Sequence, residues 1–327
     1  MDNLTHTAVG LFLSRAGLNR WTPHATAILI LAANIPDLDI VSAAGGTLSY
    51  LHYHRHWTHS LLAMPLMALL AVALVRLVSR SPVRWLGALA AAFVGVASHL
   101  LLDLTNVYGV RILLPFSSEW FRFDIASFPD PWAWTILLLG ILGPFLSRLV
   151  GSEIGSGSAP ARHYGRSGAI FALLCLTLYD GGRAVLHARA VNILDSRLYQ
   201  GTTPLRVAAC PTSINPLRWN GIVETGNFYA LAPLDLLQEF DPTRSRVLIK
   251  PDPDPAIDIA RATPAFQEFL RFSQFPLWRV WPDTEMEDGK RVEAIDLRFG
   301  SPASPAFFAR ARLDSHDHVI ESRFQFR

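Results

Sequence analysis

The chain has 327 residues, 50% hydrophobic and only 17% charged, with a positive mean hydropathy, a balance that excludes an ordinary soluble globule of this size. A formal net charge of +2 without any Lys/Arg-rich run argues against nucleic-acid binding. Two cysteines, Cys175 and Cys210, exclude a disulfide framework and a cysteine-based zinc site.

The charges are unevenly spread. The first 187 residues hold 12 Arg, no Lys and 9 acids, whereas the last 140 hold 17 of the 29 bases and 18 of the 27 acids. The expectation is a mainly α chain in two parts: a polytopic helical membrane domain over 1–187 and a small α+β extramembrane domain over 188–327.

In chain order, the apolar segments 8–13 and 24–35 are each too short to span a bilayer, and Trp21-Thr22-Pro23 turns between them. They read as a short N-terminal helical pair, half inserted or buried in protein. No cleavable signal peptide is expected, because Asp2 and His6 stand where a basic n-region would be. Runs of roughly 20 apolar residues, the length a membrane core requires, follow at 61–78, 85–104, 131–150 and 167–187, giving about four spans. Arg76, Arg80 and Arg84 lie between the first two runs, and Arg148, Arg162 and Arg166 between the last two, so these loops are assigned to the cytoplasm. The segments 55–60, 105–130 and 188–327 then fall on the opposite, extracytoplasmic side. Gly and Ser crowd 151–158, which reads as a connector. Beyond 188, β-favouring stretches at 221–225, 246–249 and 292–299 alternate with Pro, Asp and Gly, and 263–275 reads as one amphipathic helix.

Chemistry concentrates in the few polar groups of the apolar half. His99 and Asp103 are four residues apart on a predicted helix and so share a face, which is metal-ligand spacing. A carboxylate in so apolar a segment needs a cation or a donor, and a divalent ion supplies one. His59 precedes the first run, His99 and Asp103 end the second, and a dipping N-terminal pair returns His6, Asp37 and Asp39 to the same face. Four segments thus converge on a candidate centre, where His plus carboxylate donors suit zinc first, then manganese or iron, as one or two ions. Set against this, Asp37 and Asp39 also fit simple capping of a turn after Pro36. His24, His56, His163 and His187 read singly as interfacial or capping residues, His52 stays ambiguous, and His316 and His318 read as a solvated turn.

With those residues assembled, the first 150 positions resemble a family of bacterial inner-membrane metal-dependent hydrolases whose founding member is induced in the SOS response. Six elements carry the resemblance in order: Asp2-x-x-Thr5-His6; Pro36-Asp37-x-Asp39; Tyr53-His54-Arg55-x-x-Thr58-His59-Ser60; Ser98-His99-x-x-x-Asp103; Asn106-x-Tyr108-Gly109-x-Arg111; and Asp130-Pro131-Trp132. The tail is similar to the extracytoplasmic extension of longer members. The resemblance implies a membrane-embedded hydrolase with a His/Asp metal centre and favours His54 and His59 over His52. The HxxxD pattern also looks like that of zinc-dependent phospholipase C and related nucleases, an analogy of site chemistry alone.

The expected ligands are therefore His6, Asp37, His54, His59, His99 and Asp103, with Asp37, Asp39 and Arg55 carrying catalysis. A metal would activate water, Asp37 would bridge two ions, and Arg55 and Arg111 would hold phosphate oxygens of a lipid or lipid-linked phosphoester. The aromatic loop Glu119-Trp120-Phe121-Arg122-Phe123 would face lipid. The rival readings are an amide or peptide hydrolase, which lacks HExxH, a non-catalytic metal-stabilised anchor for the C-terminal domain, and a transporter, which lacks repeated broken helices.

Overall fold

The computed structural model describes residues 1–153 and 165–326, with side chains given for 1–146 and from 165 on. Most of the Gly/Ser connector, Arg162 and His163 lie outside the described residues, as does the side chain of Arg148. The chain divides into two compact units, one of Met1–Asp39, Arg55–His187 and Pro211–Pro216, the other of Ile40–His54, Ala188–Cys210 and Leu217–Arg327.

The first unit is helical. Helix α1 (Asn3–Ala16) begins where Asp2 accepts hydrogen bonds from the Thr5 backbone at 2.9 Å and the Thr5 hydroxyl at 2.8 Å. It ends at Gly17, whose N–H bonds back to Leu13 and Ser14. Helix α2 (Ala25–Ala32) is almost wholly apolar, as a helix packed on several sides should be, and lies against α1, α4 (Met64–Ser79) and α5 (Trp85–Leu104). Its neighbours approach closely because they present glycine. A Cβ on Gly10 would lie 2.9 Å from the Leu29 carbonyl oxygen, and one on Gly95 would lie 2.8 Å from Ala32 Cβ. On α5 the buried positions 88, 91, 92, 95, 96, 99, 100 and 103 repeat at helical spacing, so Gly95, His99 and Asp103 follow one another down the same face. Ile28, Ala32, Met64, Val72, Ala92 and Val96 are among the residues that fill this part of the core. A second cluster joins Val9 and Phe12 of α1 to Leu137 of α6 (Pro131–Glu153) and Ala172 of α7 (Arg166–Asp195).

Where hydropathy alone suggests about four straight runs, the helices are interrupted. Among the described residues, α5 and α7 are each long and apolar enough to cross a membrane. Two bent pairs raise the number of candidate spans to four: Ala25–Ala32 with Ile35–Gly45, bent by 43°, and Thr47–His59 with Met64–Ser79, bent by 89°. The run expected at 61–78 is a 16-residue helix that starts only after the sharp bend. At 1.5 Å per residue such a helix reaches about 24 Å, short of the roughly 30 Å membrane core. The described apolar part of α6, Pro131–Leu146, is similarly short.

The second unit is α/β with antiparallel sheets. Strands β1 (Arg206–Pro211), β2 (Arg218–Glu224), β3 (Phe228–Asp235) and β4 (Arg246–Ile249) pair in that order. After helices α8 (Pro255–Arg261) and α9 (Pro264–Phe272) come β5 (Pro276–Pro282), β6 (Lys290–Asp296), the short β7 (Gly300–Ser301) and β8 (Ser304–Pro305), β9 (Phe307–Leu313) and β10 (Val319–Phe326). The second main sheet runs β10-β9-β6-β5. Helix α9 buries Ala265, Phe266, Phe269 and Phe272, an i, i+1, i+4, i+7 stripe, and Phe266 stacks on Trp278 with ring centres 5.3 Å apart. The unit also includes α3 (Thr47–Tyr53), a short helix from the N-terminal half of the sequence.

The contacts at Gly95 are with Ala32 Cβ and with the Leu29 and Ala33 backbone, none of which can swing aside. Gly95→Ala is expected to destabilise the helical unit by about 1–3 kcal/mol through overpacking, read as a lower Tm in detergent. Gly181→Ala on α7, where a Cβ meets nothing within 4 Å, should leave Tm unchanged or raise it.

Candidate metal centre

Four side-chain atoms meet in the helical unit: Asp37 Oδ1, His59 Nε2, His99 Nε2 and Asp103 Oδ2, all within 4.8 Å of one another. The distances are 3.1 Å between the two imidazole nitrogens, 3.5 and 3.3 Å from His59 to Asp37 and Asp103, and 3.6 and 3.4 Å from His99 to the same carboxylates. A tetrahedral site with ligands at about 2.0–2.1 Å has edges of about 3.3–3.4 Å. Five edges of this group therefore match that size without rearrangement.

Each ligand is aimed by its own element. His99 and Asp103 stand one turn apart on the buried face of α5, and His99 Nδ1 lies 2.8 Å from the Ala33 carbonyl oxygen. A carbonyl only accepts, so Nδ1 carries the proton and Nε2 presents its lone pair inward. His59 ends a 3-10 turn, Trp57–His59, and its Nδ1 lies 3.0 Å from the Thr58 hydroxyl and 3.3 Å from Asp39 Oδ2. Thr58 in turn donates to Asp39 at 2.9 Å, so this ring too turns Nε2 inward. Asp37 comes from the 3-10 stretch Ile35–Gly45. At these separations two inward imidazole nitrogens and two carboxylate oxygens need a proton or a cation between them, and the group is compatible with a divalent ion.

Around this group the charges are set for a buried carboxylate. Asp103, with no solvent exposure, accepts from Arg55 Nη2 at 3.0 Å through Oδ1, which the Met1 ammonium also meets. Arg55 Nη1 reaches the Gly109 carbonyl at 3.3 Å, and the guanidinium lies 5.1 Å from the Tyr108 ring centre. His6, fully buried on α1, stacks on His99 at 3.9 Å and places Nε2 3.4 Å from Asp103 Oδ1, while neither of its ring nitrogens has a hydrogen-bond partner. Orphaned polar atoms at His6 and at Asp103 Oδ2 beside a carboxylate-imidazole cluster are what a site built for a cation leaves behind.

Of the residues singled out in sequence, Asp37, His59, His99 and Asp103 are brought together and His6 borders them. Asp39 lies behind His59, accepting from Thr58 and from the Arg55 backbone N–H at 2.8 Å. Arg55 spends both terminal nitrogens on protein acceptors. His54 belongs to the second unit, where its ring stacks on Tyr50 at 4.5 Å, and His52 there pairs with Glu268 at 2.9 Å. Arg111 sets its guanidinium 4.7 Å from the Trp120 ring centre. Asp130 caps α6 through the backbone N–H groups of Trp132 and Ala133 at 3.1 and 3.0 Å. Sequence reasoning missed the orienting roles of Thr58, Tyr108 and the Ala33 carbonyl. Thr58 at least adjoins a ligand, whereas a backbone carbonyl leaves no mark in a sequence.

The fold and site together define a class: an apolar helical protein with 2–4 candidate membrane spans and a buried His/Asp group compatible with a metal ion, followed by an α/β domain. Residues 1–190 match the model of the YdjM inner membrane protein family, and the chain belongs to that family, the one to which its six motif elements point. Residues 255–326 match the YfhP C-terminal alpha/beta plait domain. The chain is also similar to the uncharacterized protein YfhP of Bacillus subtilis (strain 168), at 26% identity over 340 residues covering 99% of this chain and 94% of that protein. No solved structure matches.

The carboxylate behind His59 has a measurable consequence. Asp39→Asn keeps the size of the side chain but removes the negative charge facing Nδ1, and should weaken divalent-metal binding about 10–100-fold, read by competition against a chelating dye. Unchanged affinity would mean that Asp39 does not orient His59.

Proposed function

We propose that the protein is a membrane-embedded metal-dependent hydrolase acting on a lipid or lipid-linked phosphoester at the extracytoplasmic membrane face. The observation that carries this reading is the asymmetry of the four-atom group. The side chains of His59, His99 and Asp103 have 0% exposure, while that of Asp37 has 11%, so access to the cluster is on the Asp37 side. Three fixed ligands and one at the solvent edge suit a centre in which water or substrate takes a fourth position. A bound divalent ion, zinc by donor type, supplies Lewis acidity that activates water and polarises the bond under attack. Asp37 is the group placed to take the proton from the attacking water. His59 and His99 hold their Nε2 lone pairs inward through Asp39, Thr58 and the Ala33 carbonyl. Arg55 fixes Asp103 instead of the substrate, which leaves phosphate recognition to other groups.

Location favours a lipid substrate. The helices that carry the ligands are apolar, and exposed Trp57, Leu61, Leu62 and Phe116 belong to the segments next to His59 or to the loop after α5. The Arg-rich loop between α4 and α5 supports a cytoplasmic position for those helix ends, and an extracytoplasmic one for the opposite ends and, with four spans, for the C-terminal domain. One observation favours a second reading, a metal-stabilised anchor without catalysis: four protein atoms lie within 4.8 Å of one another, enough donors to fill the four positions of a structural site.

Elemental analysis of the detergent-purified protein separates these accounts. One to two equivalents of zinc or manganese in the wild type, lost in His99→Ala and Asp103→Ala variants that melt cooperatively, supports the centre; a metal-free wild type sinks both readings. With metal present, release of p-nitrophenol from bis(p-nitrophenyl) phosphate that falls at least a hundredfold in Asp37→Ala identifies the hydrolase, and no release from this or from phospholipid vesicles leaves the anchor. A periplasm-dependent reporter fused after residue 327 should be active, and activity only of a cytoplasm-dependent reporter would reverse the orientation.

A further inference from the structure

The second unit carries a strongly charged sheet face of its own. Phe269 and Phe272 of α9 meet Phe324 and Phe307, so that helix covers one face of the sheet β10-β9-β6-β5. Side chains alternate along a strand, which turns Arg310, Arg312 and Arg323 to the other face, and the register sets Arg291 opposite Arg312 and Arg323 opposite Arg310. Like charges directly opposite one another cost stability in a sheet. These four arginines nonetheless line one cavity of about 270 Å³, together with Glu285 and Glu321, and no apolar side chain lines it.

From behind, the arginines are held by buried acids. Asp283 accepts from Arg291 Nε at 2.9 Å and from Arg312 Nε at 2.7 Å. Glu293 accepts from Arg310 Nη2 at 2.6 Å and lies 3.5 Å from Arg279 Nη1. In front the hold is looser. Glu285 bridges the outer nitrogens, 3.0 Å from Arg291 Nη2 and 3.1 Å from Arg312 Nη2, yet its side chain is 65% exposed and it belongs to the loop between β5 and β6. Glu321 meets Arg323 Nη1 at 3.2 Å and is 44% exposed. Exposed pairs of this kind contribute little. Arg310 Nε is buried and has no hydrogen-bond partner among the described residues. With Glu285 swung out, the arginines at 279, 291, 310, 312 and 323 face only Asp283, Glu293 and Glu321, which leaves the cavity cationic.

We propose that this cavity binds a small phosphate-bearing anion, for which Glu285 is the intramolecular stand-in. Its carboxylate bridges two guanidinium groups in the place that two phosphate oxygens would take, and the planar fork of arginine matches phosphate bidentately. The wholly charged lining offers no wall to an acyl chain, so the ligand is a soluble one. The site lies within the second unit and does not rest on the metal-centre reading.

Inorganic phosphate is the probe, titrated calorimetrically at constant ionic strength into full-length protein in detergent, after a chelator has emptied any metal site. Wild type is compared with Glu285→Gln, Arg312→Gln, Arg323→Gln and, as a control, Arg244→Ala, an exposed residue of the same unit. The expected result is saturable binding that tightens about threefold in Glu285→Gln, where the competing carboxylate is gone. Binding should weaken about tenfold in Arg312→Gln and in Arg323→Gln and stay unchanged in Arg244→Ala. Arg312→Gln takes a partner from buried Asp283; if it does not fold, Arg323→Gln, whose partner is exposed, decides together with Glu285→Gln. Absence of binding in both wild type and Glu285→Gln overturns the proposal. So does binding that acetate reproduces, or that the folded arginine variants keep at wild-type strength. Each of these failures leaves the metal centre untouched.

Discussion

An ionised carboxylate at zero solvent exposure, on a helix apolar enough to cross a membrane, is the constraint around which the helical unit is arranged. Asp103 would be intolerable there alone, because desolvating a charge costs several kcal/mol even after relaxation. Its neighbours answer that cost from separate parts of the chain. Arg55 and the Met1 ammonium meet Oδ1, while His59 and His99 face Oδ2. Every one of these groups must arrive within a few ångströms, so the packing of the helices is dictated by a polar requirement as much as by apolar burial. Glycine at positions 10 and 95 lets α1 and α5 close on α2. That closeness puts the Ala33 carbonyl within hydrogen-bonding reach of His99 and stacks His6 on the same ring.

The surroundings also separate two jobs that one glance at the residue types would merge. A carboxylate next to a histidine can be a ligand or an orienter, and geometry decides. Asp37 offers an oxygen to the shared point, whereas Asp39 faces the far nitrogen of His59 together with Thr58 and the Arg55 backbone. The two acids are two residues apart on a 3-10 stretch, where successive side chains diverge by about 120° per residue, so they face different directions.

Much of this was legible in the sequence because its signals are periodic or charged. The spacing of small and apolar residues along 85–104 defined both the helix and its buried face, and the i, i+4 step from His99 to Asp103 put two ligands on that face. The scarcity of charge before residue 187 made each remaining acid and histidine informative. What stayed hidden depends on direction. Hydropathy counts residues and not bends, so the 89° break before Met64 was invisible, and a straight span was expected where a shorter helix stands. The docking of 40–54 with a domain that lies some 200 positions later in sequence leaves no local periodicity to read. Likewise His54 and His59 look alike in the string Tyr53-His54-Arg55-His56-Trp57-Thr58-His59, yet Arg55, at φ 56°, turns the chain between them.

Whether such a centre acts or merely braces the fold depends on how strongly each ligand is held. His99 and Asp103 sit on a regular twenty-residue helix locked by close backbone contact, and His59 is gripped through Nδ1, so none can leave without disrupting buried structure. Asp37 is different. Its 3-10 stretch has poorer hydrogen-bond geometry than an α-helix, and its carboxylate is the one that solvent touches. Release of that ligand exposes an anion to water instead of burying it unpaired, so of the four exchanges it is the least costly. Were a metal held by these four residues, Asp37 would be the member whose place water could take, because it is the one at the solvent edge.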